Sequence, residues 1–261
     1  ITIDREGLRA IGPVGLNGAA PLDLVWKERF KRGTGATPNS SFQLTGDIDN
    51  AGRKAVGLKF DKYIDGPAYI DATLTGSGSK LDRAKIHADL TASKVTLDYL
   101  GWIKEPGTKV TLDTDLAIRP DGFSFSGFQL SGEGVDAAGE FAMDRKWDWQ
   151  SVSFPQITLG PDNYLSIRGR RNDEGALSLD INGLRANASL LLRNVVGGDG
   201  STQADPQAAA EAAQRLVTPE MLADKSRRTV IRAAIGTVLG QNATRFSNLD
   251  ARFTLIDDWV Y

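Results

Sequence analysis

The sequence predicts an all-β protein built mainly from one extended antiparallel sheet. Three observations predict it. Apolar residues recur at every second position through most of the chain, turn-forming clusters separate the alternating runs, and the spacing between runs is short. Strands at spacings of roughly 10–16 residues, joined by short loops, pair consecutively as a meander.

Ile1-Thr2-Ile3-Asp4 already reads as strand. Phe42 with Leu44, Val56 with Leu58 and Phe60, Ala68 through Leu74, and Ile86 with Ala88 and Leu90 each alternate with polar neighbours. In Val110–Ile118 the residues Val110, Leu112, Leu116 and Ile118 share one face, while Thr111, Asp113 and Asp115 share the other. Arg119-Pro120-Asp121-Gly122 follows as a tight reversal. Phe123 and Phe125 resume the alternation, and Gly127 breaks its phase before Phe128 and Leu130, which predicts a bulge. Further alternating pairs are Ile157 with Leu159, and Leu165 with Ile167. Then come Leu177, Leu179 and Ile181, and finally Ala188, Leu190 and Leu192. Asn50-Ala51-Gly52, Gly76–Ser79 and Asn172–Gly175 carry turn chemistry between runs.

The pattern changes after Val196. Gly197–Ser201 reads as a flexible linker, and alanine-rich Gln207–Val217 has high helix propensity. Thr218-Pro219-Glu220 looks like a helix start, and Val230, Ile231, Ala234, Ile235, Val238 and Leu239 fall on one helical face. The expectation is a sheet over 1–196, a linker and helical insertion over 197–243 with the helix near 206–241, and a return to strand over 244–261.

Composition excludes several functions. The chain carries 31 Lys+Arg against 33 Asp+Glu, with no long basic run, so nucleic-acid binding lacks its electrostatic footprint. It has no cysteine and one histidine, His87, which leaves disulfides, thiolate metal sites and Ser-His-Asp triads without parts. No stretch reaches the ~18 consecutive apolar residues of a membrane-spanning helix. The ends stop in mid-pattern, so the chain is read as a piece of a longer protein whose anchor could lie elsewhere.

Candidate chemistry is sparse. Asp113/Asp115, Glu133/Asp136 and Asp257/Asp258 could form acid–base or cation-binding pairs, but strand geometry puts Asp113 and Asp115 on a solvated face. Gly197-Gly198-Asp199-Gly200 lacks the strand–loop–helix frame of a phosphate loop. His87 should face outward. Trp147 and Trp149 flank Asp148 on one face of a possible strand, fit for stacking on a sugar or sitting at a membrane interface, with core or rim packing the commoner role. Lys225, Arg227, Arg228 and Arg232 could touch anionic lipid headgroups or simply form a solvated helix face. No enzyme and no cofactor is expected.

Thr244 through Asp258, with its phrase Phe246-Ser247-Asn248-Leu249-Asp250-Ala251-Arg252-Phe253-Thr254-Leu255, resembles the start of the C-terminal region of the AsmA-like proteins. Asp258 and Trp259 stand where that family usually has a glycine. Ile11–Phe30 and Ile64–Asp71 resemble the repeated strands of the YhdP-like members. That resemblance implies a Gram-negative periplasmic module of an inner-membrane-anchored protein. It implies a curved β-groove, open like a folded shell, that carries phospholipid between inner and outer membranes. Exposing acyl chains costs ~0.8 kcal/mol per CH₂, hence about 24 kcal/mol for two chains of roughly 15 methylenes, which such a groove would offset.

The expected groove positions are Val110, Leu112, Leu116, Ile118, Phe123, Phe125, Leu177, Leu179, Ile181, Leu190 and Leu192. The alternatives are a structural or adhesive β-protein whose apolar face is sealed by a second layer, and a carbohydrate-active β-fold enzyme.

Overall fold

The computed structural model describes residues 1–15, 20–30, 39–58, 60–77, 80–97, 100–189, 228–240, 242, 244–256 and 259–260. Strands dominate, and the all-β expectation holds. The chain divides into two compact units. Ile1–Thr96 with Ile103–Asp148 form the first, and Leu97–Trp102 with Trp149–Tyr261 form the second. The main division falls between Asp148 and Trp149.

The first unit holds β1 (Thr2–Ile3), β2 (Gly7–Val14), β3 (Leu22–Arg29) and β4 (Ser40–Ile48). These precede the short helix α1 (Asn50–Ala55) and β5 (Ile64–Asp65). Next come β6 (Ala68–Ser77), β7 (Lys80–Asp89), β8 (Lys94–Leu97) and β9 (Trp102–Lys104). The unit is completed by β10 (Val110–Ile118), β11 (Gly122–Gly132) and β12 (Val135–Asp144). Its main sheet runs β1-β2-β3-β4-β6-β7-β10-β11-β12, antiparallel throughout. Strands β5, β8 and β9 form a separate small sheet, contributed by the connections β4–β6 and β7–β10.

Local chemistry accounts for these elements. The Arg119–Gly122 turn closes with reciprocal backbone bonds, and the bulge expected at Gly127 is present, with φ 57° and a register shift between Phe125 and Phe128. The Asn172–Gly175 turn closes through Gly175 N–H to the Asn172 carbonyl.

Asn50-Ala51-Gly52 is not a strand-joining turn but the first turn of α1, because the Asp49 carboxylate caps it by accepting from Gly52 N at 2.8 Å. Val56, Leu58 and Phe60 do not form a strand, since the chain leaves α1 through a turn at Val56–Gly57.

The insertions bury two charges. The Arg53 guanidinium donates to the carbonyls of Ile48 (3.1 Å), Gly66 (3.0 Å) and Ile64 (2.9 Å) and to Asn50 Oδ1, tying α1 to the chain around β5. Lys104 of β9 is 3% exposed and donates to the carbonyls of Leu90 (2.7 Å), Thr91 (3.0 Å), Ser93 (2.6 Å) and Glu105 (3.2 Å). Burial pulls its pKa below the ordinary lysine value, while the charges of Asp89 and Glu105 oppose that shift.

The second unit contains β13 (Trp149–Leu159), β14 (Asn163–Arg171), β15 (Leu177–Asn187), β16 (Arg228–Leu239), β17 (Arg245–Ile256) and β18 (Trp259–Val260), in that order across the sheet. All neighbours in this unit pair antiparallel except β15 and β16, which are parallel with Leu177 beside Thr229 and Asn187 beside Leu239.

Arg228–Leu239 is thus strand, against the helix expected near 206–241. Ile231, Ala233 and Ile235 are buried, whereas Arg232, Ala234 and Gly236 are exposed, a period of two. The run Thr229-Val230-Ile231 is β-branched, and the paired edge of β15 outweighs the helix propensity of the alanines. The remainder of the expected linker and helix, 197–227, lies outside the described residues, as does Leu190–Val196.

Candidate functional site

Cross-strand register decides which side chains share a face, because directly paired residues point the same way. In the first unit, Leu112 pairs with Ala88 and Leu130, and Leu116 pairs with Ala84 and Phe125. Ile118 pairs with Phe123, which pairs with Met143, and Phe125 pairs with Phe141. On the other side Ala88 pairs with Ile70, Ile86 with Ala72, and Leu74 with Phe42, which pairs with Trp26. One apolar surface therefore runs across the unit from β3 to β12. Val110, Leu112, Leu116, Ile118, Phe123 and Phe125 all belong to it, as their spacing predicts.

The exposure pattern on this face is informative. The small residues Ala72, Ala84 and Ala88 are buried, at 7%, 5% and 5% exposure. Their larger neighbours Ile70, Leu74, Ile86, Leu112 and Leu116 are only half-buried. A second packed layer would seal the protruding side chains first. Here they shield the alanines between them and keep their own tips accessible. Toward the insertions the face closes, with Val110 at 0% and Leu90 at 2% exposure, and on β11 and β12 the large side chains Phe125, Leu130, Phe141 and Met143 are buried as well, so the accessible row lies on β6, β7 and β10. Rings stack along the face as well: Phe125 on Phe141 at 4.4 Å, and Trp26 on Phe42 at 5.5 Å.

The second unit repeats the pattern. Leu165 faces Gly183, Ile167 faces Ile181, and Gly169 faces Leu179. Ile231, Ala233 and Ile235 of β16 extend the same row beside Leu179, Ile181 and Gly183. Leu177 is buried, and Leu179 and Ile181 are half-buried. The sequence reading missed the β16 contribution because it placed those residues on a helix. Leu190 and Leu192 lie outside the described residues.

The basic residues do not gather at this face. Arg232 sits beside Asp180 on the opposite, polar face, with its guanidinium 3.8 Å from that carboxylate. Arg228 has the same strand parity as Arg232. The set expected to meet headgroups is not assembled there, and Lys225 and Arg227 lie outside the described residues. Asp113 and Asp115 are exposed on the polar face, as expected, and the His87 ring nitrogen Nδ1 lies 2.8 Å from Asp113 Oδ1 in solvent. Among the described residues no cluster of His, Asp or Glu could hold a metal. No helix is long and apolar enough to cross a membrane, among the same residues.

Trp147 and Trp149 are not strand neighbours on one face. Trp149 opens β13, while Trp147 lies in the turn before it with φ 70°, a conformation rare for a bulky residue. Asp144 fixes that turn. Its carboxylate accepts from the N–H groups of Lys146 (2.8 Å) and Asp148 (2.9 Å), and its carbonyl accepts from Trp147 N at 3.0 Å. The indole stacks on Phe123 at 4.7 Å and meets Phe60 edge-on at 5.3 Å, and Arg145 covers the Phe123 ring. No sequence pattern joins Phe60 to Trp147.

No family model matches this chain, and neither a curated protein nor a solved structure does.

Proposed function

We propose that the apolar face of these sheets holds lipid acyl chains, making the chain a non-enzymatic lipid-handling module. Phospholipid transport between the membranes of a Gram-negative envelope, or maintenance of its outer membrane, is the process it would serve. The observation that carries this reading is the partly exposed row of large apolar side chains on β6, β7 and β10, standing above buried alanines. A contiguous apolar surface of this kind on a folded protein marks an interaction site far more often than idle surface. In the first unit the described elements beyond the main sheet are only α1 and the small β5-β8-β9 sheet, too little to cover that face.

Acyl chains suit the surface better than a polar ligand. The face presents Leu, Ile, Phe, Met and Ala with few fixed donors, so it gives van der Waals contact without orientation. A lipid sliding along it would exchange equivalent contacts, which favours passage over tight retention. The resemblance of residues 244–258 to the AsmA-like proteins supports the same process, and with it a periplasmic setting in a longer, inner-membrane-anchored protein.

The test is native mass spectrometry of the chain purified from a Gram-negative host, followed by lipid extraction. Co-purifying phospholipid in defined stoichiometry, lost in Leu179→Asp, is the expected result. A lipid-free protein that also takes up none from vesicles would overturn the reading in favour of a structural β-module.

A further inference from the structure

The contact between Phe60 and Trp147 joins parts of the first unit that the sheet holds far apart. Phe60 belongs to the connection that leaves β4 after Ile48 and returns to β6 at Ala68, one end of those strands. Through the register Ile70–Ala88, Leu112–Ala88, Leu112–Leu130 and Leu130–Ala137, that same end of the sheet carries Val110 and Val135. Trp147 follows Asp144, at the opposite end of β12. A connection rooted on one rim therefore reaches the turn on the other rim. The apolar face lies between the two rims.

We propose that Phe60 and Trp147 form an aromatic clasp across the mouth of the first unit's apolar face, and that its opening admits an acyl chain. Two features separate the clasp from ordinary packing. Trp147 occupies a left-handed backbone position that glycine fills most easily, in a chain with 28 glycines, so the indole is kept there against a local conformational cost. The rings meet only through side chains, since the ladder hydrogen bonds of β4 and β12 run to other strands. Separating two rings leaves the sheet intact, which is what a reversible closure requires. On the other side of Trp147, Phe123 belongs to the apolar face itself, so the clasp and the proposed acyl surface share a residue.

The identity of the passing molecule rests on the acyl-chain reading above, and the clasp itself does not. The absence of native cysteine allows the two to be tested apart. Leu116→Cys places a single thiol on the face, and its reaction rate with a bulky maleimide reports access to the full chain. Adding Trp147→Gly, or separately Phe60→Ala, should raise that rate at least about fivefold, the shift expected when a ring contact of this class is removed from an open–closed equilibrium. Uptake of a fluorescent phospholipid from phosphatidylglycerol-containing vesicles should accelerate in parallel, with the melting temperature kept. An unchanged labelling rate in both variants would overturn the clasp. Faster labelling without uptake by any form would keep the closure and overturn the acyl chain as what it admits.

Discussion

Lys104 and Leu116 lie in the same unit on opposite terms. The lysine is a charge taken almost wholly out of water and satisfied by four carbonyls. The leucine is an apolar side chain in the middle of a sheet, only partly withdrawn from water. Arg53 repeats the first case and Leu112 the second. The rim insertions thus bury polar groups and meet nearly all their bonds, while the face they flank leaves hydrophobic area uncovered. Shape is fixed at the rim, and surface is kept available on the face. A frame anchored at its edge can hold a floor that does not have to pack against anything of its own.

The comparison breaks most visibly at Lys104. Lys104→Met keeps the stem but removes the ammonium's bonds, leaving the carbonyls of Leu90, Thr91 and Glu105 with their backbone donors alone and taking the ammonium from Ser93, and it should cost about 2 kcal/mol in urea unfolding. A loss below about 1 kcal/mol would mean that water replaces the ammonium easily and the rim is no firmer than the face.

Leu179→Asp sharpens the other side. On a half-exposed face the carboxylate stays hydrated, so the expected stability loss is about 1 kcal/mol, whereas a sealed core would make it exceed about 4 kcal/mol. The same variant should shed bound lipid, so stability and binding separate only if the face is open.

The smallest effect belongs to Asp89, where β7 runs into the rim. Hydrogen bonds from the Thr91 side chain and backbone N–H hold its carboxyl below the ordinary value of 3.8, with Lys109 and His87 adding in the same direction and burial opposing. The folded state therefore favours the ionised form. That contribution is present above the ordinary value and is lost as pH falls through the lowered one. Asp89→Asn should cost under about 1 kcal/mol at neutral pH and flatten this acid dependence, read by thermal melts across pH.

Legibility followed locality. The run Val110–Leu130 could be read residue by residue, bulge included, because alternation, the Pro-Asp-Gly reversal and Gly127 are all local signals. α1 was missed although Asp49 offered a capping carboxylate three residues before Gly52, since the turn-like Asn-Ala-Gly masked it. β16 was misread because adjacent Val230 and Ile231 satisfy a helical stripe as well as a strand, and only a parallel partner distant in sequence decides between them. The apolar face was legible as a set of positions on one side of the sheet, but its exposure was not, because exposure depends on what else packs there. The Phe60–Trp147 contact has no sequence signal at all.

The parallel pairing of β15 with β16 has a kinetic consequence. Each hairpin from β10 to β12, and from β13 to β15, can zip as soon as its own turn closes, because its partners are neighbours in the chain. β16 and β17 can zip as a hairpin of their own, but that hairpin must travel back along the sheet before Thr229 can lie beside Leu177. The second unit should therefore grow from its hairpins toward β18, with its last strands joining in a slower step. Until they do, the far edge of β15 stays bare as a row of unsatisfied amides, the surface most open to a wrong partner during folding.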